Sequence, residues 1–193
     1  MKQILIILLL FLSLNSFSQE KTYNISLQSS DKSVSLYPFY KTFSVSFDPA
    51  VSIGVERFFY TKGNSSLFYS GQFSWYNHRM IGAGFSSAIC FGYQYKIQNG
   101  LYVEPKLGAG FNLFYPERET FIINQSGQYE ATKSLHNTFL GLLGLSLGYE
   151  FGKLSVFCNY QYSLEGKYNE ILPILPTSMF GVGVKYQFLT KKD

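Results

Sequence analysis

MIGAGFSSAICFGYQY, residues 80–95, alternates with a period of two along its whole length. Ile81, Ala83, Phe85, Ser87, Ile89, Phe91, Tyr93 and Tyr95 form one set. Gly82, Gly84, Ser86, Ala88, Cys90, Gly92 and Gln94 form the other. Successive side chains of a β-strand point to opposite faces, so the stretch predicts a strand with one bulky apolar face and one small or polar face. The direction of the bulky face decides the molecule. Turned inward it lines a soluble barrel around a greasy ligand; turned outward it meets lipid.

The same period recurs in segments 49–60, 66–77, 100–114, 137–151, 153–164 and 177–188. These segments exceed the usual five or six residues of soluble strands and reach the roughly 9–11 that cross a bilayer when tilted. Helical periodicity is sustained nowhere after residue 18. The longest apolar run there, FLGLLGLSLGYEF at 139–151, is broken by glycines and is shorter than the roughly 20 residues a spanning helix needs.

Connections alternate in length. TKGNSS (61–66), IQNG (97–100) and FGK (151–153) are short, whereas 115–136 and 165–178 are long and NHRM (77–80) belongs with the long class. Such alternation arises when all turns of one kind share a membrane face. The count then requires one more strand before residue 49, with TYNISLQ, SVSLYPF and KTFSVSF as candidates within 19–48. Closure at an even number makes the expected fold all-β: an eight-stranded antiparallel up-and-down transmembrane β-barrel. Residues 1–18 have a basic start, an apolar run from Ile4 to Leu14 and small residues at Ser16 and Ser18, the anatomy of a cleaved signal peptide. Residues 19–193 are then a single barrel domain.

Composition and charge set the direction of the faces. Aromatic residues make up 19% of the chain and charged residues only 15%, against about 25% in soluble domains. With the bulky sets inward, Leu, Phe, Tyr and Trp would overfill an eight-stranded interior and leave Gly, Ala and Ser facing water. With them outward, small and polar residues fill a narrow lumen. Lys or Arg facing mid-bilayer costs about 2–4 kcal/mol. Glu56, Glu104, Lys106, Glu150 and Lys185 all fall on the inward parity and are expected to form a lumen charge cluster. Arg57 falls on the outward parity near a strand end, where it is expected to snorkel to the headgroups. Tyr60, Tyr93, Tyr95, Tyr149, Tyr186 and Phe188 collect near the short-turn ends as an aromatic girdle.

With these patterns the chain resembles the small outer-membrane β-barrels of Gram-negative bacteria, of the OmpX and OmpA type. The resemblance is architectural and covers essentially all of 19–193. Its most specific element is GVKYQF (183–188), in which Gly183, Tyr186 and Phe188 match the barrel-assembly signal of a final strand, although LTKKD follows where the family pattern usually ends. The resemblance implies location in the cell outer membrane, contact with its lipid, and insertion by the barrel-assembly machinery.

Chemistry is less legible. The inward charges read either as a proton or ion path or as a plug of mutually neutralising groups. His78 and His136 both fall at strand ends on the long-loop side, where a rim-active acyltransferase or lipid deacylase would place its base. Ser134 and Glu130 lie near His136 in sequence, but no motif ties them together, and no third ligand at suitable spacing indicates a metal. Residues 121–131 have the shape of a small hairpin. Ile171, Leu172, Ile174 and Leu175, beside two prolines, form an apolar loop that either contacts a partner or packs on other loops. Cys90 and Cys158 differ in parity and are expected to be free, buried thiols. No cofactor is indicated, and a net charge of +4 leaves no footprint for nucleic acid. The expected role is non-enzymatic: a barrel with a filled lumen, structural or binding, as an accessory subunit of a larger outer-membrane complex. The alternatives are the rim enzyme and a lipocalin-like secreted carrier.

Overall fold

The computed structural model describes residues 21–34, 48–79, 82–116, 120–123, 129–132, 135–166 and 174–190. Eight long strands form a closed barrel: β1 (Lys21–Val34), β2 (Pro49–Lys62), β3 (Ser65–His78), β4 (Gly82–Lys96), β5 (Leu101–Tyr115), β8 (His136–Phe151), β9 (Leu154–Gly166) and β10 (Ile174–Thr190). Between β5 and β8 a separate hairpin pairs β6 (Thr120–Ile123) with β7 (Tyr129–Thr132), where the small hairpin is expected. Every long strand is antiparallel to its neighbours in the ring, and β1 closes it against β10 from Lys21↔Thr190 to Val34↔Thr177. The first strand therefore contains TYNISLQ; KTFSVSF lies outside the described residues, as does the expected signal peptide.

Three tight connections lie at one end. Gly63–Asn64 joins β2 to β3 and Gly152–Lys153 joins β8 to β9, with both glycines at positive φ (57° and 65°), the conformation a two-residue hairpin loop demands. Ile97 and a single helical turn, Gln98–Gly100, join β4 to β5. The opposite end carries the remaining connections: 35–48, 116–135 and 167–173 are long as expected, whereas 79–81, expected with the long class, has only three residues because β3 runs to His78 and β4 starts at Gly82.

The wall has the expected polarity. In β4, Phe85, Ile89 and Phe91 are exposed on the outside while Gly84, Ala88, Cys90 and Gly92 are buried within. Ile53, Phe73, Leu107, Phe111, Leu143, Leu147 and Val182 continue the apolar outer surface around the ring. Among the described residues no helix is long and apolar enough to cross a membrane.

The inside is not merely small and polar. Tyr76, Phe68, Tyr102 and Phe157 also point inward, each lying across a directly paired glycine: Gly84, Gly92, Gly148 and Gly183 respectively. A Cβ at any of these glycines would intrude on the facing ring. The glycines of β4 are thus room made for the aromatics of β3, and the rings help fill the lumen near its two ends.

Two local expectations are corrected. β10 begins at Ile174, so Ile174 and Leu175 are strand residues rather than loop: Ile174 points out, and Leu175 points in among Ala50, Tyr76, Phe114 and Met179. Pairing with β9, from Ile174↔Gly166 onward, carries the strand through Pro176. Ile171 and Leu172 lie outside the described residues. Cys90 is buried inside, but Cys158 is exposed on the outer wall; both are free.

Candidate functional site

The lumen gathers the inward polar residues into layers. At the short-turn rim, Lys96 Nζ donates to Glu150 Oε2 at 2.8 Å, with both side chains partly exposed. Above it lies a buried triad: Lys185 Nζ sits 2.9 Å from Glu56 Oε1 and 2.5 Å from Glu104 Oε2. Gln94 Nε2 donates to Glu104 at 2.8 Å and Asn24 Nδ2 to Glu56 at 3.4 Å. The Lys185 ammonium also lies 5.0 Å from the Phe157 ring centre and 5.5 Å from that of Tyr102, within reach of cation–π attraction. Residues distant in the chain meet here because each occupies an inward position at a similar height in β1, β2, β4, β5 and β10.

The five residues expected to cluster therefore separate into three groups. Glu56, Glu104 and Lys185 are in direct contact; Glu150 belongs to the rim pair; Lys106 reaches Gln72 Oε1 at 3.5 Å and lines one small cavity with Glu56 and Lys185 without pairing with a carboxylate among the described residues. At mid-height, Gln72 and Gln161 exchange amide hydrogen bonds of 3.3 and 2.9 Å. Asn159 bridges Ser146 and Gln28, at 3.0 Å each.

A second buried ion pair closes the long-loop half. Lys32 Nζ lies 2.8 Å from Glu165 Oε1 and 3.5 Å from the Tyr76 ring centre. Asn112 Nδ2 donates to the other oxygen of Glu165 at 2.7 Å, Thr177 donates to Oε1 at 3.1 Å, and Tyr76 donates to Asn112 Oδ1 at 2.9 Å. Ala50, Tyr76, Phe114, Leu175 and Met179 form an apolar cap toward the loops. Periodicity alone misses this pair, since it neither places β1 nor extends β9 as far as residue 165. The available signal is parity: Glu165 continues the inward series 159, 161, 163, and Lys32 the series 24, 28, 30.

Among the described residues the two histidines have different surroundings. His78 is buried, its Nε2 3.6 Å from Asp48 Oδ2, and Asp48 also accepts from the Arg79 backbone and side chain at 3.3 and 3.4 Å. His136 stacks on Phe114 with ring centres 5.3 Å apart. Ser134 and the side chain of Glu130 lie outside the described residues. No group of three or more His, Cys, Asp or Glu suited to a metal occurs among the described residues.

No family model and no curated protein matches this sequence. Solved structures do. Neisserial surface protein A superposes with a TM-score of 0.55 at 12% identity, covering 87% of this chain and 97% of its own. The attachment invasion locus protein Ail of Yersinia pestis gives 0.50 at 13%, covering 89% and 100%. The fold is that of a small outer-membrane β-barrel. At such identities the likeness is one of fold, and the strand number, closure and sidedness described above agree with it.

Two further features concern the wall of such a barrel. The girdle at the short-turn end is present: Tyr60, Tyr93, Tyr95, Tyr149, Tyr186 and Phe188 are all exposed on the outer wall, with the Tyr186 and Phe188 rings 4.7 Å apart. Arg57 departs from expectation. It is buried rather than extended, donating from Nη1 to Tyr69 OH at 2.7 Å beside a bulge between Phe58 and Tyr60. The bulge disturbs the strict alternation just beyond it.

Proposed function

We propose that this chain is an integral protein of the bacterial outer membrane whose sealed barrel is a non-conducting, non-catalytic anchor. It presents its long-loop end, including the β6–β7 hairpin, outside the cell as an accessory component of a larger outer-membrane assembly. The observation that carries the reading is the closure of the lumen at successive levels: the Lys185–Glu56–Glu104 triad, the Gln72–Gln161 amide pair, the Lys32–Glu165 pair and the apolar cap. A pore needs a continuous path, which a filled barrel does not offer, and the outer wall and the loops are left as working surfaces.

In this reading residues 1–18 direct export. Gly183, Tyr186 and Phe188 serve the barrel-assembly machinery, with the two rings displayed to the membrane and Gly183 turned inward. Ile171, Leu172 and the outward Ile174 form the contact with the partner, while Leu175 contributes to the cap.

The test is purification from outer-membrane fractions in mild detergent, followed by partner analysis and planar-bilayer recording. Heat-modifiable migration, a stoichiometric co-purifying protein lost in Ile174→Asp, and no steady conductance are expected. Recovery as a soluble periplasmic protein, or a stable open channel, overturns the anchor reading. A changed lipid A or phospholipid profile in a His78→Ala, His136→Ala strain, matching that of the full deletion, overturns its non-catalytic part.

A further inference from the structure

The short-turn rim of the barrel carries charge of one sign. Lys62 ends β2 and Lys153 lies in the β8–β9 turn, both exposed, and Lys96 ends β4 with its side chain 41% exposed. Each tight connection therefore brings one lysine, and the three fall on alternate seams of the ring. The remaining seam of that series joins β1 to β10, where Lys21 pairs with Thr190 and the sequence continues with Lys191 and Lys192. Against these the rim offers one carboxylate among the described residues, Glu150, which Lys96 already holds. The opposite rim is balanced among the described residues: Arg79 lies 3.4 Å from Asp48, and Lys32 is paired with Glu165.

The lysines also share a height. Lys62 pairs with Ser65, which pairs in turn with Tyr95, and the Ser65 hydroxyl lies 2.7 Å from that of Tyr93. Tyr60, Tyr95 and Phe151 come one or two residues before Lys62, Lys96 and Lys153. An aromatic girdle occupies the membrane–water boundary, so the lysines stand at its polar edge, in the headgroup layer. Backbone bonds hold them there: Lys96 N donates to Asn64 O and Gln187 N to Lys153 O, each at 2.8 Å. A long apolar stem lies along the girdle while the ammonium reaches the phosphates.

We propose that this basic rim is a docking ring for anionic phospholipid headgroups, whose phosphates accept from Lys62, Lys96 and Lys153. Their source is the periplasmic leaflet, which follows from the outward placement of the long loops proposed above. Each exposed lysine near an anionic surface is worth roughly a fivefold preference at low salt, and salt screens it. Glu150 engages Lys96, so Lys62 and Lys153 carry most of the attraction. Acidic polymers of the cell wall would need a longer reach than such tight turns give.

The experiment reconstitutes the full barrel in phosphatidylcholine bilayers with a trace of spin-labelled phosphatidylglycerol or spin-labelled phosphatidylcholine. Electron spin resonance then reads the fraction of each label immobilised at the protein. Phosphatidylglycerol is expected to be favoured severalfold at low salt, with the preference shrinking in molar salt. Lys62→Gln with Lys153→Gln is expected to bring the ratio near one, while Arg79→Gln leaves it unchanged, all with heat-modifiable migration retained. Equal association of the two lipids with the unaltered barrel, a preference indifferent to salt, or equal loss in Arg79→Gln overturns the proposal. So does lysine-dependent co-sedimentation with purified peptidoglycan in the absence of a lipid preference. Should the double variant fail to fold, the salt dependence in the unaltered protein decides the question. The leaflet has its own readout: an impermeant maleimide applied to intact cells should label Lys62→Cys no more than the unaltered protein. Stronger labelling overturns the outward placement of the long loops and the leaflet with it, and the lipid ratio alone judges the ring.

Discussion

Gly92 lies directly beneath the ring of Phe68, its cross-strand partner, and the ring occupies the space a Cβ at that position would take. The aromatic is large enough to fill part of the lumen only because its neighbour has no side chain. Gly92→Val is therefore expected to destabilise the barrel by about 1–3 kcal/mol through overpacking. Gly71→Val is the control, because Gly71 faces outward and a Cβ added there would meet nothing within 4 Å. Urea midpoints of refolded protein in detergent check the pair. Equal midpoints for the two variants would show that the ring does not depend on its glycine seat, and recovery in Gly92→Val with Phe68→Ala would locate the strain in the ring.

Lys185 is the only cation in direct contact with Glu56 and Glu104 among the described residues, so removing it strands two buried carboxylates. Breaking such a buried network from one side costs about 3–5 kcal/mol. Lys185→Met is expected to lose that much stability. Adding Glu56→Gln and Glu104→Gln is expected to restore most of it, since amides need no counter-charge. The same urea titration reads both variants; a triple variant no more stable than the single one shows that the charges themselves are not what the triad satisfies.

The strands, their sidedness and their alternating connections are legible in the sequence because the two faces obey opposite constraints in every strand, and a period of two repeats too often to be accidental. β4 shows it best: Phe85, Ile89 and Phe91 are outside and Gly84, Cys90 and Gly92 inside, as the quoted stretch implies. Parity tells which side of the wall a residue occupies, not its height in the lumen. That is why Glu150 can be placed inside yet pairs with Lys96 at the rim and not with the Lys185 triad. Height depends on register and barrel shear, which follow from closure of β1 onto β10. Lys32 and Glu165 stay hidden for a related reason: strand ends have weak patterns, and both lie near one.

Two ion pairs of equal length allow burial to be separated from distance. Lys32–Glu165 and Lys96–Glu150 both measure 2.8 Å, but the side chains of the first are 4% and 1% exposed and those of the second 41% and 21%. Double-mutant cycles with Lys→Met and Glu→Gln are expected to give a coupling of about 2–3 kcal/mol for the first pair, within the range of contacting networked residues. The rim pair is expected to give under about 1 kcal/mol, falling further at high salt. Equal couplings, or a salt-sensitive inner pair, would mean that water reaches Lys32.

Depth along the outer wall distinguishes two positions on the strand that fixes the direction of the faces. Ile89 is at mid-strand in β4 and 57% exposed; Tyr95 is on the same face near the short-turn end and 42% exposed. In water the two positions would tolerate Arg alike, since both are open. In a bilayer a guanidinium at mid-depth costs about 2–4 kcal/mol and one at the interface about 0–1. Equilibrium unfolding from phospholipid vesicles should therefore show Ile89→Arg far more destabilised than Tyr95→Arg. The contrast should shrink in detergent, where a micelle deforms around the charge more readily than a bilayer. If the two substitutions cost the same in vesicles, the wall of β4 does not cross the membrane at the height its pattern assigns.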